Sequence, residues 1–253
     1  METHDSEQTR YAVIDGLRGF AILNMIAFHA VWDLVYVYGV DWQWLDERPG
    51  VFWQQMICWS FIIVSGFCLP LSKHPLQRGV EVSLAGLAVT MVTLVLEPQM
   101  LIIFGVLTLL GACMILVGVA APILERVRRR PLLATLVSLI LVMLFWPLRD
   151  GYLGLGDWQI LTLPSAWFAN LLTTFLGMPT EDFYSADYFP LLPWLFVFLV
   201  GYFLYFIFER RSWLSVLVKS RCRFLEWAGR HSLLIYLLHQ PLIYVLLRPF
   251  FPS

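Results

Sequence analysis

Residues 17–33 read LRGFAILNMIAFHAVWD. The run has the apolar density of a helix that crosses a bilayer, yet it contains Arg18, His29 and Asp33. Each ionisable group inside a membrane costs several kcal/mol, and such groups survive where they pair, face a water-filled cavity or mark a substrate path. How these three are accommodated decides both the solvent of the fold and where to look for chemistry.

The whole chain agrees with a membrane solvent. Of 253 residues, 59% are hydrophobic and 14% charged, against roughly 25% charged in a soluble domain. A span needs about 20 apolar residues, and about seven are expected, over 13–38, 51–70, 79–96, 101–124, 132–148, 190–208 and 232–250. No internal repeat, low-complexity tract or linker interrupts them. Residues 1–253 are therefore expected to form one membrane-embedded domain, an all-α helix bundle. The polar opening METHDSEQTR lacks the pattern of a cleavable signal peptide. Cys58, Cys68, Cys113 and Cys222 are isolated, with no CxxC pair and no zinc-ligand spacing, so they read as free thiols and no metal is expected.

Lysine and arginine set the expected orientation. With the N-terminus in the cytoplasm, one inner loop holds Lys73 and Arg78, and the next holds Arg126, Arg128, Arg129 and Arg130. The third holds Arg210, Arg211, Lys219, Arg221, Arg223 and Arg230. The opposite face receives Arg48, Arg149 and Arg248 beside Asp41, Asp46, Glu47, Glu97, Asp150, Asp157, Glu181, Asp182 and Asp187. The C-terminus is then outside.

On this topology the long connection 149–189 is extracytoplasmic. Within it, PSAWFANLLTTFLG reads as a helix with Ser165 as N-cap and Gly177 as stop. Trp167, Phe168, Leu171, Leu172 and Phe175 share one side, which suits a helix lying in the interface. Next comes DYFPLLPW, whose Pro190 and Pro193 suit entry into the sixth span. Asp187 and Tyr188 are expected at the outer mouth, and an interfacial aromatic belt explains Tyr188 and Trp194 equally well.

Arg18 is expected near the inner surface, with His29 roughly 16 Å higher at 1.5 Å per residue. His29 and Asp33 are four apart on one helical face, where the carboxylate is placed to orient the imidazole. The competing explanation is that Arg18 snorkels and His29 bonds a neighbouring helix. The last span repeats the design in GRHSLLIYLLHQPLIY: Arg230 and His231 mark its inner end, while His239 and Gln240 lie roughly 13 Å above. Pro241 frees a backbone carbonyl near that polar pair. Gln54, Gln55, Ser60, Ser65 and Gly66 in the second span either pack closely or line a cavity. There is no GxSxG, HExxH, Walker loop or cysteine–histidine metal array.

LRGFAILNMIAFH places ten residues between an arginine and a histidine, and so resembles the first span of transmembrane acyltransferases. Together with HAVWDLVYVYGVDW, DYFPLLPW and GRHSLLIYLLHQP, it is similar to the bacterial branch related to the catalytic domain of heparan-alpha-glucosaminide N-acetyltransferase, from about Tyr11 to Tyr244. The resemblance implies transfer of an acetyl group from cytosolic acetyl-CoA, or another acyl-CoA, to an extracytoplasmic glycan or amino-sugar acceptor, in a bacterial inner membrane. Arg18 and His29 take the motif positions, which makes His29 the candidate catalytic histidine. In the lysosomal enzyme asparagine stands at that position and the active histidine falls in an outer loop. Here no histidine lies between His29 and His74, so the reaction class carries over and the heparan substrate does not.

The chemistry fits those residues. Acyl transfer from a thioester needs a base for the attacking group and donors for the developing oxyanion. His29, with Asp33 as partner, is the candidate base, and His239, Gln240 and Tyr236 are candidate oxyanion donors. Arg18 and Arg230, with Ser232 and Tyr236 on the last span, are the candidate donor-binding residues. Asp187, Tyr188, Trp194 and Gln240 are the candidate acceptor contacts. Membrane lipid surrounds the chain, nucleic acid is not an expected partner, and a homo-oligomer is left open. A transporter or flippase using the same polar groups is the main alternative, against which the lack of an inverted repeat counts; a structural membrane protein is another. Single cysteines on a cysteine-free background test the topology. Positions 46 and 157 are expected to react with an impermeant thiol reagent in intact cells, and positions 128 and 219 only after permeabilisation; the reverse pattern inverts the assignment.

Overall fold

The computed structural model describes residues 11–218 and 222–251. Lys219 and Arg221, used above for orientation, lie outside the described residues. The described chain is a bundle of apolar helices: α1 Ala12–Tyr36, α2 Arg48–Cys68, α3 Pro75–Leu96, α4 Val106–Val119, α5 Ala121–Val127, α6 Pro131–Phe145, α7 Leu171–Leu176, α8 Leu191–Arg210, α9 Arg223–Arg230 and α10 Ser232–Leu247. The expected all-α membrane architecture is present. Among the described residues, five helices are long and apolar enough to cross a bilayer: α1, α2 and α6 each with its following 3-10 turn, α3, and α8. Proline sets several of the starts, since its fixed φ and missing N–H suit a first turn. Pro75, Pro122 and Pro131 each stand there in α3, α5 and α6.

Two expected spans take a different form. The run 101–124 is not one helix: α4 begins at Val106, and the chain bends by 75° between Val119 and Ala121. Pro122 is the reason, because it cannot donate to the carbonyl one turn back and its ring crowds that turn. Beyond the bend, α5 exposes Ile123 and Val127. The last span ends at Leu247 rather than near 250, leaving α10 with 16 residues, about 24 Å of helix.

The connection 149–189 also differs in detail. It holds a β-hairpin, β1 Tyr152–Leu155 against β2 Trp158–Thr162, with Leu155 opposite Trp158 across the Gly156–Asp157 turn. The bulge between Leu153 and Gly154 lets the strands approach where Gly154 has no side chain; a Cβ there would lie 2.2 Å from the Trp158 carbonyl. Ser165 does not cap the expected helix. Ser165–Trp167 is a 3-10 turn, and α7 starts later, on Asn170, whose side chain accepts from the Leu172 and Thr173 amides while Thr173 bonds back. That reciprocal box satisfies two otherwise orphaned donors, which a serine five residues earlier cannot do. Gly177 is the stop, at φ 124. At the start of α8, Leu192 is extended at φ −102, ψ 130, as expected for a residue preceding proline.

The chain divides into two compact units, residues 65–207 and the flanking 1–64 with 208–253. In the first of these, α3 and α4 pack through small residues. A Cβ at Gly111 would stand 2.2 Å from Ser83 Oγ and 2.8 Å from the Gly79 carbonyl, so the two backbones touch at that level. The outward face of α3 shows Leu84, Leu87, Met91, Val95 and Leu96, a surface suited to lipid. A second cluster, Leu148, Leu163 and Met178 with Phe145, Leu153 and Phe168 around it, anchors the hairpin and the chain leading to α7. In the other unit the core is Ile22, Met25, Phe28, Leu45, Ile57 and Ala228.

The α3–α4 seam is testable because alanine alone should favour the helix by about 1 kcal/mol over glycine. Gly111→Ala meets backbone and is expected to lower stability by about 1–3 kcal/mol. Gly118→Ala meets the movable Leu76 side chain at 2.8 Å and is expected to be near neutral. Thermal unfolding in detergent separates the two; equal effects would show that the backbones are not in contact.

Candidate functional site

The unit made of 1–64 and 208–253 holds most of the candidate residues. Its geometry starts at the motif arginine of α1, Arg18. Gly19 of α1 lies against the backbone of Leu225 in α9, where a Cβ would stand 1.9 Å from the Leu225 carbonyl. Gly229 of α9 lies against Asp15 and Gly19, with a Cβ only 1.8 Å from the Asp15 carbonyl. Arg18 and Arg230 are the chain neighbours of these two glycines, so each arginine stands next to the α1–α9 crossing in sequence. Arg18 makes an ion pair with Asp15 at 3.5 Å, one turn away on the same helix. Arg230 is exposed, its Nε–H donating to the Glu226 carbonyl at 3.3 Å. Ser232 opens α10 directly after them.

Further along α1, His29 meets His239 of α10. The rings of His29 and His239 have centroids 4.9 Å apart, tilted by 57°. His239 Nδ1 is hydrogen-bonded to the carbonyl of Tyr236. A carbonyl can only accept, so Nδ1 carries the proton, and in the neutral ring Nε2 presents its lone pair. That Nε2 is buried without a hydrogen-bond partner. Phe28 stands edge-on to His29 and also to Trp53, whose indole N–H donates to Asn24 at 3.2 Å.

Asp33 is 2% exposed, and its carboxylate accepts from Gln240 Nε2 at 2.8 Å. This differs from the expected pairing with His29: the carboxylate bonds across to α10 instead of one turn back along α1. The side-chain amide offers a donor in line with Oδ1, and the bond ties the two helices together at the level of the histidines. It also fixes the amide, whose Oε1 remains buried without a partner. Among the described residues, the orphaned buried side-chain atoms are Tyr38 Oη, Gln55 Oε1, His239 Nε2 and Gln240 Oε1, all in this unit. Buried polar atoms are usually satisfied, so the two orphans at the histidine pair and its neighbour, His239 Nε2 and Gln240 Oε1, mark a polar site in an apolar bundle. No group of three or more His, Cys, Asp or Glu able to hold a metal occurs among the described residues.

The sequence matches the family described as heparan-alpha-glucosaminide N-acetyltransferase, catalytic, over residues 10–241. The chain belongs to this family. Comparison with curated proteins and with solved structures finds no match. The resemblance carried by the three motifs is thereby borne out, and the family makes the protein a membrane acetyltransferase. Within this family's motifs, the structure brings His29 beside His239 and Asp33 onto Gln240, and packs together the helices that carry Arg18 and Arg230.

The outer-loop candidates lie in the other unit, residues 65–207, and have structural partners there. Asp187 Oδ2 accepts from the Val106 amide at 3.4 Å, at the first turn of α4, where a carboxylate complements the helix dipole. Tyr188 donates its hydroxyl to the Thr174 carbonyl at 2.5 Å, and Arg149 lies over its ring at 5.7 Å. Burial pushes its phenol up to about 12 although Arg149 opposes the shift, so it stays a donor. Trp194 is buried between Trp146 and Phe189. Sequence reasoning missed the roles of Gly19 and Gly229; the signal was a glycine next to each motif arginine.

The Asp33–Gln240 bond is tested by a double-mutant cycle on stability in detergent with Asp33→Ala and Gln240→Ala. A coupling of about 1.5–3 kcal/mol is expected for a bond to a charged group; strictly additive effects would show that the side chains do not meet.

Proposed function

We propose that the protein moves an acetyl group from cytosolic acyl-CoA to a sugar hydroxyl or amine on the far side of a bacterial inner membrane, with its N-terminus in the cytoplasm. The observation that carries the reading is the pairing of half-buried His29 of α1 with buried His239 of α10, ring centroids 4.9 Å apart. Toward the start of α1 lies the glycine crossing with α9, flanked in sequence by Arg18 and Arg230. The reaction exchanges a C–S bond for a C–O or C–N bond. The acceptor attacks the thioester carbonyl and gives its proton to an imidazole; the tetrahedral oxyanion collapses, and the departing thiolate recovers that proton. His29, at the motif position, is the general base or a transient acyl carrier. His239 is its neighbour, with a lone pair at Nε2 available for the same proton.

Electrostatics support the direction of entry. Coenzyme A carries several phosphate charges, which arginine forks bind better than lysine point charges. The arginine-rich loops attract it and the acidic face repels it. Arg18 and Arg230 then hold the phosphates, with Ser232 and Tyr236 along the pantetheine arm that leads to His29. Gln240 is the acceptor contact favoured by geometry, since Asp187 and Trp194 are engaged elsewhere.

Reconstitution in sealed vesicles of known orientation, with labelled acetyl-CoA supplied to one face at a time, tests the reading. Transfer is expected only from the arginine-rich face, and equal transfer from the acidic face would remove the across-membrane mechanism. His29→Ala and His239→Ala are each expected to lower turnover by at least ~10²-fold, the usual scale of acid–base catalysis. Arg230→Gln is expected to weaken acyl-CoA binding by about 1.5–3 kcal/mol. Near-normal turnover in His29→Ala would leave His239 as the base.

A further inference from the structure

The outward face of α9 carries chemistry that the reading above leaves unused. Leu225, Ala228 and Gly229 form the inward face, packed into the α1 crossing and the core. Opposite them, Phe224 is 60% exposed and Trp227 49% exposed. Their rings are nearly parallel, 17° apart in plane, with centroids separated by 6.5 Å. That separation lies at the outer limit of ring–ring contact, so the two rings present near-parallel aromatic faces side by side on the exposed surface. His231 braces Trp227 from its own turn. Its ring lies 4.9 Å away, and its Nδ1 is 2.9 Å from the Trp227 carbonyl, to which it donates. Arg223 and Arg230 are exposed at the two ends of the same short helix, which packs at the glycine crossing against α1, the helix that carries Arg18.

Exposed aromatic faces beside guanidinium groups are what a base joined to phosphates requires: stacking for the ring, charge for the phosphates. We propose that Phe224 and Trp227 form a stacking platform for the adenine of the acyl donor, with Arg223 and Arg230 on its phosphates. The inference rests on the acyl-CoA reading of the previous section and assigns the nucleotide end of that substrate to α9. The tight crossing with α1 matters here, because it fixes α9, and therefore the platform, relative to Arg18 and to the helix that carries His29. Exposed aromatics near arginines also suit an anionic lipid interface, and the two occupants differ in their dependence on a base.

The test compares two donors, acetyl-CoA and S-acetyl-pantetheine, which shares the thioester arm and lacks the nucleotide. Trp227→Leu and Phe224→Leu are each expected to lower the ratio of kcat/KM for acetyl-CoA to that for S-acetyl-pantetheine about tenfold, within the range of base–aromatic stacking. Calorimetry with adenosine 3′,5′-bisphosphate on the detergent-solubilised protein is expected to show a similar loss of affinity in both variants. Both side chains are exposed, so the variants are expected to fold. An unchanged donor ratio together with unchanged nucleotide affinity overturns the platform. So does a loss of binding to anionic vesicles alone, which assigns the aromatics to the lipid interface. Failure of both donors to turn over would remove the acyl-transfer reading, while weakened nucleotide binding in the variants would still support the platform; a native protein that binds no nucleotide overturns it.

Discussion

The contact on which the candidate site depends is the backbone crossing of α1 and α9. Gly19 and Gly229 remove the only atoms that would hold the helices apart, and each stands against a carbonyl of the other helix. A membrane provides little hydrophobic force between helices, so such close van der Waals approach is a main source of their association. The crossing has a second effect, because each glycine is followed or preceded by an arginine. The packing of these neighbours fixes the backbone from which each cation extends, and Arg18 is further held by its ion pair with Asp15. Loosening the crossing would therefore free the backbone that carries each arginine as well as the packing.

Higher along α1 the same helix is fastened by polar means. The Asp33–Gln240 bond joins α1 to α10, and the histidine rings meet one turn below it on α1. The carboxylate is thus a brace between helices, and the imidazole of His239 takes its orientation from its own helix through the Tyr236 carbonyl. The result separates two jobs that the spacing of His29 and Asp33 had placed on one pair. What holds the helices together does not occupy the imidazole lone pair, which stays available for a proton.

Much of this architecture was legible in the residues. Apolar runs located α1, α2, α3, α6 and α8, because lipid demands long helices with every backbone bond satisfied internally. Arg18, His29, Arg230 and His239 stood out as ionisable groups in apolar surroundings. The parts that were not legible depend on competition between neighbours. Apolar density alone does not show that Pro122 divides the run from 101 to 124. The alternation in 152–162 is too short to stand out within a connection, although Gly156 and Asp157 mark its turn. Asn170 displaces Ser165 as the cap because Thr173 can return its bond. The choice of Gln240 over His29 by Asp33 depends on the azimuth of α10, which no spacing within α1 encodes.

The short last helix has a consequence for how the protein meets its bilayer. At 16 residues, α10 is about 24 Å long, against a hydrocarbon core of about 30 Å. Such hydrophobic mismatch is relieved by thinning the lipid beside the helix, at fractions of a kcal/mol per Å. Where the lipid thins to match α10, the polar site at His239 lies a shorter depth from either surface than the midplane of an undisturbed bilayer. Lipid composition becomes a determinant of how far a polar group must travel to reach that histidine, set by the length of one helix and independent of any residue that touches substrate.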